Sequence, residues 1–324
     1  MIDTVVGHRD WRTLARGLGY ALAAGVMWGM VFVAPAVLFD YPPMVLSVGR
    51  YLAFGLIAMV LALGSWQALA DLQRADWIEA TKLSLVGNLL YYACLASAIQ
   101  LAGPPLPTMV IGTLPVVIAV CSNLSERTLP WRQLWLPLAV IAVGIALVNR
   151  DEFGVFAAAA GPAARYAWGA LLALVAVVCW TWYPIRNARW LRARPALRSD
   201  VWATVQGLTT LPLAAAGALL LWLGDRAGAP GAAGFDWPLG PRPALFVALM
   251  LLMGLLASWA GTLCWNRASQ LLPTSLAGQL IVFETLSALA MAFAWRGQWP
   301  PAGTLLGIAA LVLGVVLGVR AFQR

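Results

Sequence analysis

Residues 17–64 read GLGYALAAGVMWGMVFVAPAVLFDYPPMVLSVGRYLAFGLIAMVLALG, a stretch in which Asp40 and Arg50 are the only charged side chains. A membrane-crossing helix needs about 20 largely apolar residues. The stretch holds two such runs, 17–39 and 43–64, parted at Asp40-Tyr41-Pro42. Along the rest of the chain the same ruler finds 78–101, 104–124, 131–149, 166–185, 201–224, 243–265, 274–295 and 302–320. The spacing predicts an all-α integral membrane protein of about ten transmembrane helices. The first run is too long for the apolar region of a signal peptide, and nine more follow it. Connections are short, the longest being 65–77, 150–165, 186–200 and 225–242, and none resembles a soluble domain.

Composition agrees. Of 324 residues, 62% are hydrophobic and 10% charged, and the mean hydropathy is +0.81. A soluble domain carries about 25% charged residues. The formal charge of +8 would ordinarily raise nucleic acid as a partner, but the arrangement of the charges accounts for it. With ten spans, one side holds both termini and the even-to-odd connections. It carries most of the arginines, among them Arg12, Arg16, Arg74, Arg127, Arg132, Arg186, Arg192, Arg198, Arg267 and Arg320, with Lys82 close by. The other side carries Arg150, Arg165, Arg226, Arg242 and Arg296. By the positive-inside rule both termini are predicted cytoplasmic, in a multi-pass protein of the cytoplasmic (inner) membrane that meets lipid and not nucleic acid.

Cys94, Cys121, Cys179 and Cys264 lie in apolar runs with no paired spacing, and His8 is the single histidine. They predict buried small apolar side chains, with no metal site and no histidine-based catalytic triad. No phosphate-binding loop occurs, so no nucleotide cofactor is implied.

The two halves resemble each other. Val26-Met27-Trp28-Gly29 in the first span answers to Val178-Cys179-Trp180-Thr181 in the sixth, and Leu106-Pro107-Thr108 to Leu272-Pro273-Thr274. A five-span unit is odd, so its second copy enters the membrane from the opposite side. The expected organisation is two inverted five-helix repeats, 17–149 and 166–320. Residues 1–16 precede them, 150–165 connect them and 321–324 form a short tail. Such repeats place a substrate site near the midplane, between the halves.

The residues Met27-Trp28-Gly29-Met30-Val31-Phe32-Val33, Tyr41-Pro42-Pro43, Gly49-Arg50-Tyr51-Leu52-Ala53-Phe54, Thr113-Leu114-Pro115-Val116 and Ser125-Glu126-Arg127-Thr128 resemble the drug/metabolite transporter superfamily, in its EamA-type branch. The resemblance covers about residues 17–320. It implies a ten-helix carrier of two inverted repeats that exports amino acids, other small metabolites or toxic compounds. In the second half, Phe283-Glu284-Thr285 and Trp295-Arg296-Gly297 depart from that family's Glu-Pro and Gly-Glu patterns.

Glu284 stands about ten residues into the ninth span, roughly 15 Å deep, and an ionisable group there is a functional candidate. It suits a proton-coupling site or a partner for a substrate amine. The bland reading is a carboxyl group hydrogen-bonded to a neighbouring helix. Ala277, Ser287 and Ala288 share its face, a small-residue face of the kind that packs inward. Arg50, about 10 Å into the second span, suits capture of a carboxylate; its bland readings are snorkelling to the outer surface or a structural bond to helix carbonyls. Asn88, Tyr91 and Tyr92 share a face of the third span, Trp259, Thr262 and Asn266 one of the eighth, and Trp180 and Tyr183 one of the sixth. With Trp28, and more weakly Gln206, these would line a cavity, or else belong to interfacial belts. Pro35, Pro115, Pro184 and Pro212 mark kinks. Gly303-xxx-Gly307 and Gly314-xxx-Gly318 mark close packing, internal or across a homodimer, so monomer and dimer both stay open.

The leading reading is a secondary transporter of a small, amino-acid-like metabolite. Two rivals are a membrane-embedded enzyme acting on a lipid-linked substrate and a non-transporting receptor or assembly protein. The first lacks a cluster of catalytic side chains, the second an appended domain.

Overall fold

The computed structural model describes residues 11–32, 37–102, 105–127, 129–150, 163–229 and 234–323. His8, Arg9, Val33, Pro35, Thr128, Arg324 and most of the 150–165 connection lie outside them. Ten helices make up the bundle: α1 (Trp11–Gly29), α2 (Pro43–Gly64), α3 (Arg74–Ala102), α4 (Leu106–Glu126), α5 (Trp131–Val148), α6 (Ala163–Ala193), α7 (Ser199–Arg226), α8 (Pro243–Leu271), α9 (Thr274–Ala294) and α10 (Ala302–Ala321). There is no strand among the described residues. Nine of these helices are long and apolar enough to cross a membrane, and α1, with Arg12 and Arg16 in its first turns, is the tenth. Proline sets many of the starts. It opens α2 and α8 (Pro43, Pro243) and immediately precedes α5, α9 and α10 (Pro130, Pro273, Pro301), where its missing N–H costs the helix nothing.

The main pairings are α1 on α8 and α9, α6 on α3 and α4, α2 on α7 and α8, α7 on α3, α4 on α9 and α5 on α10. Moving every helix five places along the chain returns the same set. The local irregularities repeat as well. A π-helical turn interrupts α3 at Ser84–Leu90 and α8 at Gly254–Ala260. α4 is broken at Thr113 and α9 at Ile281. Two pairings have no such counterpart: α6 packs on α8 and, more lightly, on α9, and α1 makes no comparable contact with α3 or α4 among the described residues.

The α10 glycines are used inside the chain. A methyl group on Gly307 or Gly314 would stand 2.7 Å from a Val148 side chain or 2.5 Å from an Ile141 side chain of α5. That close approach is what small residues permit between helices in lipid, where no hydrophobic drive pulls them together.

The expected connection at 186–200 is corrected. α6 runs on to Ala193 and α7 begins at Ser199, leaving a short turn. Hydropathy reads Arg186, Arg192 and Arg194 as a loop. Each instead meets an acid, Glu79, Glu126 and Asp76 respectively, so the helix continues past the apolar run. α3 likewise starts at Arg74 and α8 continues to Leu271.

Candidate functional site

An aromatic group occupies the centre, where α1, α3, α6 and α8 meet. Trp180 stacks on Tyr91 at 4.9 Å and on Tyr183 at 5.2 Å. Its edge meets Trp28 at 6.0 Å, and Trp28 leans on Trp265 at 5.3 Å. Each such pair adds about 0.5–1.5 kcal/mol beyond its buried area. Four of the residues singled out in the sequence thus come together. Trp265 was missed, since nothing in its neighbourhood separates it from the other 16 of the 17 tryptophans.

Two opposite charges adjoin this group. Glu284 lies in the first turn of the second segment of α9, after the break at Ile281. Its N–H bonds the Ile281 carbonyl at 2.9 Å. Arg50 on α2 donates from Nε to Ser258 Oγ of α8 at 2.9 Å and lies 5.3 Å from the centre of the Tyr51 ring. It faces inward and does not snorkel to the surface. The two charges are close enough to act on each other, and both act on Tyr91, yet they form no ion pair among the described residues. Glu284, Arg50 and Tyr91 are all half-buried.

Glycine fixes where Glu284 stands. A methyl on Gly25 would lie 2.6 Å from the Phe283 side chain and 2.9 Å from the Glu284 backbone nitrogen, and one on Gly29 would lie 2.7 Å from Ser287. Gly25-xxx-Gly29 therefore lets α1 close onto the small-residue face of α9. The spacing rule that marks α10 would have found it.

The remaining candidates part company. Asn88 donates to Thr210 of α7 at 3.3 Å, Tyr92 to the Pro43 carbonyl at 3.2 Å, and Trp259 to Thr204 at 3.0 Å. The π-helical turns rotate these faces away from the register of a regular helix. Asn266 joins a buried hydrogen-bond network that starts at Tyr183 of the aromatic group. Tyr183 donates to Gln206 Oε1 at 2.9 Å, Gln206 reaches Asn187 Oδ1 at 3.5 Å, and Asn187 donates to Asn266 Oδ1 at 2.8 Å. Trp202 donates to Asn187 Oδ1 at 2.8 Å. Asn187 was missed because it sits between Arg186 and Arg189, in a stretch that reads as a loop. Among the described residues no group of His, Cys, Asp and Glu is placed to hold a metal. The four cysteines are unpaired, Cys94 and Cys179 buried and Cys121 and Cys264 half-buried.

An opposed pair of charges beside a broken helix, enclosed in a bundle whose pairings repeat every five helices, is the layout of a carrier. Comparison of the sequence settles the family: residues 15–150 match the EamA-like transporter family. The chain belongs to that family. It is 50% identical over 311 residues to Inner membrane protein YtfF of Escherichia coli, across 94% of this chain and 95% of that protein. A solved crystal structure with 18% sequence identity superposes with a TM-score of 0.70, over 94% of this chain and 96% of the other. At that identity the likeness concerns the fold. As an EamA-like protein the chain is a multi-pass membrane transporter. The family match nearly coincides with the expected first repeat.

Proposed function

We propose that this EamA-like protein is a secondary carrier that exports a small, amino-acid-like metabolite across the inner membrane by alternating access. The observation that carries the reading is the opposed pair Glu284 and Arg50. Both are half-buried beside Tyr91 and form no mutual ion pair among the described residues. A substrate ammonium would take Glu284 and its carboxylate Arg50, with Tyr91, Trp28 and Trp180 as the apolar wall. The same carboxyl group would take a proton when the amine leaves, which couples export to proton entry. The reading also takes 17–149 and 166–320 as the two inverted repeats, in support of which stands the exchange of helix pairings. It takes the end rich in arginine as cytoplasmic. The relative's description as an inner membrane protein supports the location.

The test is untargeted analysis of the growth medium from cells producing the protein, beside cells producing Glu284→Gln at equal membrane level. The expected outcome is an amine-bearing metabolite that accumulates outside with the natural protein and at least about tenfold less with the variant, as loss of a charge-assisted hydrogen bond of ~1.5–3 kcal/mol implies. Equal accumulation with both would remove Glu284 from the mechanism, and no accumulation with either would overturn export.

A further inference from the structure

We infer that the last third of α6, from Pro184 to Ala193, is the gate over the arginine-rich mouth of the bundle, latched by Asp76 and Glu79 of α3. Both acids are buried, 3% and 2% exposed, at the end of a membrane helix. Acids so placed persist only where cations answer them. Arg186 holds Glu79 through two nitrogens, the longer bond from Nη2 to Oε2 at 3.0 Å. Asp76 Oδ1 takes Arg194 Nε at 2.8 Å and Trp190 Nε1 at 3.2 Å. The Arg194 guanidinium lies 3.9 Å above the Trp190 ring. Arg192 reaches across to Glu126 at the end of α4, at 3.0 and 3.2 Å, and to Thr274 at the start of α9. One helix segment thus ties α3, α4 and α9 together at a single mouth.

Two further features make this segment a moving part. Pro184 supplies no N–H, so the Trp180 carbonyl loses its partner one turn before it. α6 is therefore weakest between the aromatic group and the latch. Asn187, one turn beyond Tyr183, is bonded by Trp202, Gln206 and Asn266. Through Tyr183 and Gln206 it connects the latch to the centre. α6 is packed on α8 among the described residues, so the α6 mouth is shut. In the alternative state the α6–α8 contact opens. The inference takes its purpose from the carrier reading, but its geometry stands without it.

The test uses purified protein in detergent, where both mouths meet reagent, so neither orientation nor substrate enters. Ser269 on α8 is buried, lies between Asn266 and Gln270, and its hydroxyl has no partner. Alkylation of Ser269→Cys by a water-soluble maleimide is followed by site-resolved mass spectrometry, with buried Cys94 as the internal reference. Adding Glu79→Gln is expected to raise the labelling rate at position 269 at least about tenfold with Cys94 still protected. Reversing the pair, Glu79→Arg with Arg186→Glu, is expected to return most of the protection. Equal labelling with and without Glu79→Gln would overturn the gate. So would a parallel rise at Cys94, which would make the pair a holder of the whole fold.

Discussion

α4 and α9 hold the same place in the two halves and are packed on each other, and each is broken about a third of the way along. In α4 the break at Thr113 is followed by Pro115, whose missing N–H leaves the Ile111 carbonyl without its helical partner. In α9 the break at Ile281 has no proline, and Glu284 stands where the second segment begins. The backbone irregularity is common to both halves, and the charge belongs to one. The shared feature supports the fold and the opening between the halves. On the proposed carrier reading, the unshared one is what would select the substrate.

The largest effect expected from this contrast is structural. α9 is clamped at its break by α1 through Gly25 and Gly29, whereas a methyl on Gly112, beside the break in α4, would meet only the Asn149 and Ile145 side chains at 3.3 and 3.4 Å. Gly25→Leu forces a side chain into the Glu284 backbone and is expected to cost ~3 kcal/mol or more, the upper range for overpacking. The observable is loss of folded protein from the membrane, or a Tm lowered by several degrees in detergent. Gly112→Ala is expected to leave Tm nearly unchanged. Equal tolerance of both would erase the structural side of the contrast.

The second effect concerns chemistry. Arg50 reaches Ser258 through Nε. Lysine keeps the charge and loses the planar fork. Arg50→Lys is therefore expected to lower transport in proteoliposomes about tenfold, equivalent to ~1.4 kcal/mol, at unchanged membrane level. Pro115→Ala in α4 removes a break without removing a charge and is expected to change transport no more than about threefold, less than ~0.7 kcal/mol. A full rate from Arg50→Lys would return Arg50 to a purely structural role.

How much of this the sequence carried follows from what lipid demands. The spans were legible because hydrocarbon requires long apolar runs, and Glu284 and Arg50 because a charge in such a run stands out. The end of α6 was not legible. Hydropathy counts Arg186, Arg192 and Arg194 as polar without knowing that Glu79, Glu126 and Asp76 wait for them. The break at Thr113 is announced by Pro115, while Ile281 carries no local sign. The π-helical turns are set by tertiary packing, so the face shared by Asn88, Tyr91 and Tyr92 at regular helical spacing is divided among α7, α6 and α2.

The smallest effect lies at the mouth opposite the α6 latch, and it separates a surface clasp from a buried one. There Arg242 at the start of α8 grips Asp40 through Nε at 2.9 Å and also through Nη2, while Tyr41 donates to the Leu239 carbonyl at 2.8 Å. The Arg242 guanidinium holds the Asp40 carboxyl below its ordinary value of 3.8. A depressed carboxyl stabilises the fold fully above that ordinary value and loses its contribution as pH falls through the lower one. Asp40 is exposed and the pair is screened by solvent and salt, so Asp40→Asn is expected to shift Tm only slightly at neutral pH. The shift should shrink with added salt and vanish in strong acid. Glu79→Gln, which removes a carboxylate buried in the opposite mouth, should show a larger Tm shift that salt changes less. If salt weakened both equally, the two mouths would be closed by the same kind of contact and the asymmetry between them would rest on helix packing alone.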